Sequence, residues 1–123
     1  MNKDQRENCE ILRSMSSSQA LEWLASSDRQ DRSTYINCRS WEKKDHQRLA
    51  ELFLSNIPHA SGRTYDQLLS IMSISSFVKV IREHVPDSES KRDLLAYYLV
   101  PALQKHTKNE RDDNIVKVFL DDL

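Results

Sequence analysis

The stretch ISSFVKVIREHV (residues 74–85) decides the fold class. Its apolar side chains recur at positions i, i+3, i+4, i+7 and i+11, namely Ile74, Phe77, Val78, Ile81 and Val85. This spacing places them on one face of an α-helix, whereas a strand would alternate them between two faces. We therefore predict a helix over residues 77–84, preceded by a serine-rich joint, at the centre of the core.

The same period recurs on both sides of this stretch. It predicts further helices at about residues 2–14, 19–26, 41–56, 65–72, 88–106 and 110–121. Capping boxes are expected at Ser16 with Gln19 and at Thr64 with Gln67. The segment 94–103 is apolar almost all round, which predicts a buried central helix. The structure of residues 27–40 stays open, as does a strand at residues 115–120.

Composition limits the fold and the chemistry. The 123 residues include one glycine and three prolines, too few for the many turns of an all-β fold. The lone Gly62 also excludes glycine-rich phosphate loops. A chain of this length is expected to form one domain over residues 1–123. The prediction is an all-α fold, an irregular bundle of six to eight helices.

The charge balance argues against a dedicated nucleic-acid binder. The chain carries 18 basic and 19 acidic side chains, a formal net charge of −1, whereas such binders are usually strongly basic on one face. The group Arg39, Lys43, Lys44 and Arg48 is interspersed with acidic residues and reads as a solvated helix face. It remains the one candidate region for the alternative function, a small nucleic-acid-associated regulator or antitoxin.

No catalytic or metal-binding pattern stands out, so we expect no enzyme activity, no cofactor and no metal. The four histidines, His46, His59, His84 and His106, share no i, i+3 or i, i+4 spacing. A Cys38 nucleophile with His46 as its base is the minor enzymatic alternative.

Cys9 and Cys38 read as ordinary thiols of a reducing compartment. The first six residues contain no apolar run of a secretory signal. Both observations lead us to expect a cytoplasmic protein.

Carboxylates bracket the last predicted helix: Glu110, Asp112, Asp113, Asp121 and Asp122. Acidic residues stabilise a helix near its start and destabilise it near its end. Helix stability therefore does not account for Asp121 and Asp122. We take the cluster as a candidate negative surface for a basic protein partner. Trp23 lies off the apolar stripe of its helix and is a candidate interface anchor.

The segment SGRTYDQLLSIMSI (residues 61–74) resembles segments of small helical immunity proteins from bacterial contact-dependent growth inhibition systems. The resemblance implies a cytoplasmic protein that binds one toxin domain, often a nuclease, and blocks it. It carries over no binding residue, because that family has no fixed binding motif. A basic nuclease would suit the acidic C-terminal surface, and blocking would occur by occlusion.

Overall fold

The computed structural model describes residues 1–27 and 31–123, and over this part of the chain it contains helices and no β-strand. Its α-helices are α1 (Lys3–Ser14), α2 (Ser17–Ser26), α3 (His46–Leu54), α4 (Arg63–Leu69), α5 (Ile74–Ile81), α6 (Glu89–His106) and α7 (Glu110–Asp121). Short 3-10 helices cover Arg32–Cys38, Lys43–Asp45 and Arg82–His84. The predicted all-α bundle of six to eight helices is confirmed.

Two of the open questions are thereby answered in part. Arg32–Cys38 forms a 3-10 helix, and residues 28–30 lie outside the described residues. Residues 115–120 belong to α7, so the strand alternative there is wrong, and the bounds of α7 agree with the prediction. No helix in residues 1–27 and 31–123 is both long and apolar enough to cross a bilayer.

Helix α5 lies at the centre of the bundle, packed against α3 and against α7. Its apolar face is almost completely buried, with Phe77 and Ile81 inaccessible to solvent. The helix begins at Ile74, three residues earlier than predicted, because the Ser73 hydroxyl accepts a hydrogen bond from the backbone N–H of Ser76 and caps it. Buried apolar residues from all seven α-helices join this face in one cluster.

The predicted capping boxes have different outcomes. The box of Ser16 and Gln19 is present at the start of α2, as expected. The box of Thr64 and Gln67 is wrong, because α4 begins at Arg63, two residues before the predicted start, and both side chains are buried. Gly62 stands before α4, and a Cβ there would lie 3.1 Å from the backbone oxygen of Tyr98 on α6. The glycine thus allows α4 to approach α6 closely.

Trp41 lies outside the helix that was expected to start with it. Its indole Nε1–H donates to the Ile36 oxygen at 2.7 Å, and the side chain is buried. The chain then makes the 3-10 turn Lys43–Asp45 before α3 begins at His46. The prediction of a helix from residue 41 is wrong because the tryptophan packs into the core from an extended segment.

Helix α6 is not buried all round, contrary to prediction. Its buried residues Leu95, Leu99, Ala102 and Leu103 occupy one face. On another face, Tyr97 is 72% exposed and Leu94 is 42% exposed. The apolar character of residues 94–103 therefore serves two surfaces, one facing the core and one facing solvent.

The two cysteines are paired. Cys9 on α1 and Cys38 at the end of the 3-10 helix Arg32–Cys38 form a disulfide, with 5.5 Å between their Cα atoms. The prediction of unpaired thiols is wrong for the oxidised state that the structure shows. The two positions are 29 residues apart, and spacing in sequence does not show which distant residues meet.

Asp45 is a buried carboxylate between α2 and α3, with a residue exposure of 3%. The Ser18 hydroxyl lies 3.2 Å from both carboxylate oxygens. Hydrogen bonding from Ser17, and then from Ser18 with the charges of Lys44 and Arg48, outweighs desolvation and lowers the pKa of Asp45 below its ordinary value of 3.8. The charged form is therefore the one that this site stabilises.

We expect Asp45→Asn to lower the free energy of unfolding by about 1–3 kcal/mol near neutral pH, since it removes charge-assisted hydrogen bonds from a buried site. The folded-state pKa lies below the unfolded one, so the carboxylate's contribution is complete above about pH 3.8 and is lost at lower pH. Denaturant unfolding of wild type and variant at several pH values measures the difference.

The control is Asp87→Asn, which makes the same chemical change on an exposed side chain. It should stay within about 0.5 kcal/mol of wild type. A difference between wild type and Asp45→Asn that grows as the pH falls below 3.8 would contradict the assignment.

Candidate protein-binding surface

Helix α7 carries the carboxylates that the sequence proposed for partner binding. Glu110 is its first residue, Asp121 is its last, and Asp122 follows as the C-terminal cap. These three side chains are exposed, whereas Asp112 and Asp113 are partly buried. The predicted cluster is therefore split between the two ends of one helix, about 17 Å apart along its axis at 1.5 Å per residue.

The carboxylates at the start of α7 serve the helix itself. Asp112 accepts a hydrogen bond from the backbone N–H of Lys108 at 3.2 Å. Asp113 pairs with Lys117 one turn later at 2.9 Å and raises the pKa of that lysine. Both contacts are local, and the Asp113–Lys117 pair already balances part of the negative charge within α7.

At the C-terminal end of α7, Asp122 contacts the 3-10 helix Arg82–His84, which follows α5. Its carboxylate pairs with the Arg82 guanidinium at 2.8 Å. The same guanidinium lies 5.4 Å from the centre of the Phe119 ring. Arg82 thus fixes the end of α7 against the 3-10 helix Arg82–His84, and Asp121 is left on the exposed side beside this pair.

An apolar cleft of about 440 Å³ lies between α5 and α7. Val78, Ile115 and Val118 contribute its apolar lining. Val118 is 56% exposed although it is aliphatic. Asp121 follows Val118 by three residues and so shares its face of α7. The surface therefore joins an exposed apolar centre to charged side chains of both signs, with Asp121 on α7 and with Lys79 and Arg82 lining the cleft from the side of α5. Many protein interfaces have such a charged rim.

Trp23, the other candidate, is partly buried. Its ring meets the Tyr35 ring edge-on, with 5.7 Å between centroids. The tryptophan therefore contacts the neighbouring 3-10 helix Arg32–Cys38. It lies on α2, and the acidic candidates lie on or next to α7.

Sequence reasoning missed Tyr97 as a surface residue. This ring is the most exposed of the large apolar side chains described, and it packs edge-on against Tyr98 with centroids 4.9 Å apart. A cleft of about 520 Å³ adjoins it between α4 and α6. The spacing of Leu95, Leu99 and Leu103 already fills one face of α6, and this was the signal that Tyr97 points elsewhere.

Three of the four basic residues of the alternative function, Arg39, Lys44 and Arg48, make intramolecular contacts. Arg39 donates to the backbone oxygens of Leu12 and Met15 at 2.8 and 2.7 Å, and its guanidinium lies over the Trp41 ring. Lys44 pairs with Glu42, and Arg48 lies 3.9 Å from Asp45. Arg39 in particular serves as a tie between α1 and the segment that follows the 3-10 helix.

All four histidines contact a hydrogen-bonding partner through Nε2. His46 and His59 lie against the backbone oxygens of Trp41 and Phe53. His84 and His106 lie against carboxylates: His84 is 2.6 Å from Glu51, and His106 is 2.7 Å from Asp66. The pKa of Asp66 is lowered below its ordinary value, mainly by the hydrogen bond with His106 and further by Lys105. Cys38, the candidate nucleophile, is bonded to Cys9 and has no thiol in this state.

Comparison with known proteins found no match: no protein-family model, no curated protein and no solved structure matches the chain.

Proposed function

We propose that the chain is a toxin-neutralising immunity protein, which binds a cognate bacterial toxin domain and blocks it by occlusion. Two independent features support the proposal. The segment 61–74 resembles such immunity proteins. The surface of α7 offers exposed carboxylates beside an apolar cleft.

The α5–α7 surface is the observation that carries the proposal. Val118 exposes an aliphatic side chain at the cleft, and Asp121 and Asp122 follow on the same side of the helix. An apolar centre supplies affinity through burial, and adjacent charge supplies orientation and a faster encounter. Val118 and Asp121 both face solvent, whereas Asp122 is already paired with Arg82 inside the monomer.

The complementary partner is basic. A nuclease domain presents positive charge to the nucleic acid that it cleaves, so a carboxylate-bearing helix can lie over the same surface. Binding there excludes the nucleic acid by steric overlap and by competition for the positive charge. The inhibitor itself needs no catalytic group for this mechanism.

The proposal includes the cytoplasm as the compartment. There the glutathione pool keeps protein thiols reduced, so we expect Cys9 and Cys38 to be thiols inside living cells and to pair after purification in air. Rapid alkylation of intact cells, followed by mass spectrometry of the chain, measures the two states. A fully formed Cys9–Cys38 disulfide inside the cells would contradict the cytoplasmic location.

The nucleic-acid-associated alternative has less support. It requires basic side chains that are free to reach phosphates, and the guanidinium of Arg39 is committed to Leu12, Met15 and Trp41. Binding to nucleic acid that weakens steeply with salt would favour this alternative over ours.

The decisive experiment combines capture with protection. The tagged chain is purified from its native host, and the partner is identified by mass spectrometry; we expect a toxin domain encoded next to this gene. Coexpression of the chain with that domain should restore growth. The double variant Glu110→Lys with Asp121→Lys should bind the domain roughly tenfold or more weakly, because two rim charges become repulsive.

The matched control is Glu7→Lys with Glu10→Lys, which reverses two exposed charges on one face of α1. This control should bind and protect like wild type. Recovery of no stable protein partner from cells that carry the neighbouring gene would contradict the proposed function. Equal weakening by both double variants would remove α7 as the binding surface.

A further inference from the structure

Three side chains with metal-ligating atoms meet where the chain leaves α5. They are Glu51 in the last turn of α3, and Glu83 and His84 in the 3-10 helix Arg82–His84. One ligand atom from each lies within 4.8 Å of the others. Glu51 and His84, whose side chains are in hydrogen-bond contact, are 33 residues apart in the sequence. No short sequence motif therefore predicts the cluster.

The backbone that carries these ligands is held by the core. Helix α3 packs directly against α5, and the 3-10 helix continues α5 without a break. Phe53 and Leu54 of α3 are buried within three residues of Glu51, and Ile81 is buried within three residues of His84. The ligand side chains themselves reach solvent, with side-chain exposures of 36% for Glu51 and 23% for His84. An ion can therefore enter, while the two backbones stay in place.

The distances suit a small divalent ion. Zinc binds imidazole nitrogen and carboxylate oxygen at about 2.0–2.2 Å, which places two ligand atoms of a tetrahedral site about 3.3–3.5 Å apart. The His84 Nε2 atom now lies 2.6 Å from the Glu51 carboxylate oxygen, and the full set spans up to 4.8 Å. A tetrahedral site therefore requires small rotations of these side chains, all of which reach solvent.

The charge also suits a dication. Glu51 and Glu83 bring two negative charges, and the structure gives neither of them an ion pair with lysine or arginine within residues 1–27 and 31–123. The nearest guanidinium in sequence, Arg82, is directed to Asp122 and Phe119 instead. When a metal binds His84 at Nε2, the ring proton resides on Nδ1, and the hydrogen bond to Glu51 is replaced by two metal–ligand bonds.

A second histidine–carboxylate pair shows what this cluster adds. His106 and Asp66 are 2.7 Å apart, almost the same distance as His84 and Glu51. There, however, the third charged group is the ammonium of Lys105, which lies 3.1 Å from the same Asp66 oxygen. Lys105 thus brings a positive charge to the His106–Asp66 pair, whereas Glu83 brings a second negative charge to the His84–Glu51 pair.

We propose that Glu51, Glu83 and His84 form a binding site for one divalent transition-metal ion, Zn²⁺ in the first instance, that clamps α3 to the segment after α5. Three protein ligands leave one coordination position for water. None of its three ligands lies on α7 or lines the α5–α7 cleft, although the neighbouring Arg82 does line that cleft.

The test is equilibrium dialysis of the purified chain against ZnCl₂ near pH 7, with bound metal counted by mass spectrometry. We expect one Zn²⁺ per chain. His84→Ala and the isosteric Glu51→Gln should each weaken binding by at least about tenfold, because each removes a ligand. His106→Ala is the matched control and should bind like wild type. Because metal binds the folded state, Zn²⁺ should raise the melting temperature of wild type and of the control only.

Failure of the wild type to bind Zn²⁺ would overturn the proposal. So would equal affinity in wild type and His84→Ala, which would indicate an adventitious ion elsewhere, or equal loss in His106→Ala. Circular dichroism shows whether each variant folds, and Glu51→Gln decides the question if His84→Ala does not. In the ¹H NMR spectrum, the ring signals that shift on titration with Zn²⁺ should be those lost in His84→Ala.

Discussion

The rest of the structure depends on the burial of one helix face, the apolar stripe of α5. Phe77, Val78, Val80 and Ile81 are all nearly or fully removed from solvent. Each such side chain contributes about 1.5–3 kcal/mol when it leaves water. Helix α3 covers one part of this stripe and α7 another. Helix α5 therefore positions both surfaces to which we assign a role. One is the α5–α7 surface, and the other is the Glu51–Glu83–His84 cluster at the C-terminal end of α5.

Features that depend on local periodicity could be predicted from the sequence. The bounds of α7 agree with prediction, and so does the capping box of Ser16 and Gln19, because each is decided by residues within one or two helical turns. Errors occurred where a contact made outside the helix itself overrode the local pattern. Trp41 leaves its expected helix to bond with Ile36, and Gly62 precedes α4 because the backbone of α6 lies 3.1 Å from where its Cβ would be.

For the candidate site, too, the local features could be predicted from the sequence and the contacts between helices could not. That the acidic residues lie along α7 could be predicted, since they share one helix. Their partners could not be: Arg82 meets Asp122 across 40 residues of chain. Part of the charge that the sequence offers to a partner is consequently used inside the molecule. The Cys9–Cys38 pair and the meeting of Glu51 with His84 also depend on how helices pack, which spacing along the chain does not encode.

Hydrogen exchange of backbone amides, followed residue by residue, tests the central position of α5 most directly. Amides in packed central elements exchange only through extensive unfolding, whereas those in peripheral helices exchange through local opening. The account predicts that the amides of α5 and of the adjoining face of α3 are the slowest in the chain, and that those of α1 are much faster. Exchange of the α5 amides as fast as that of α1 would contradict it.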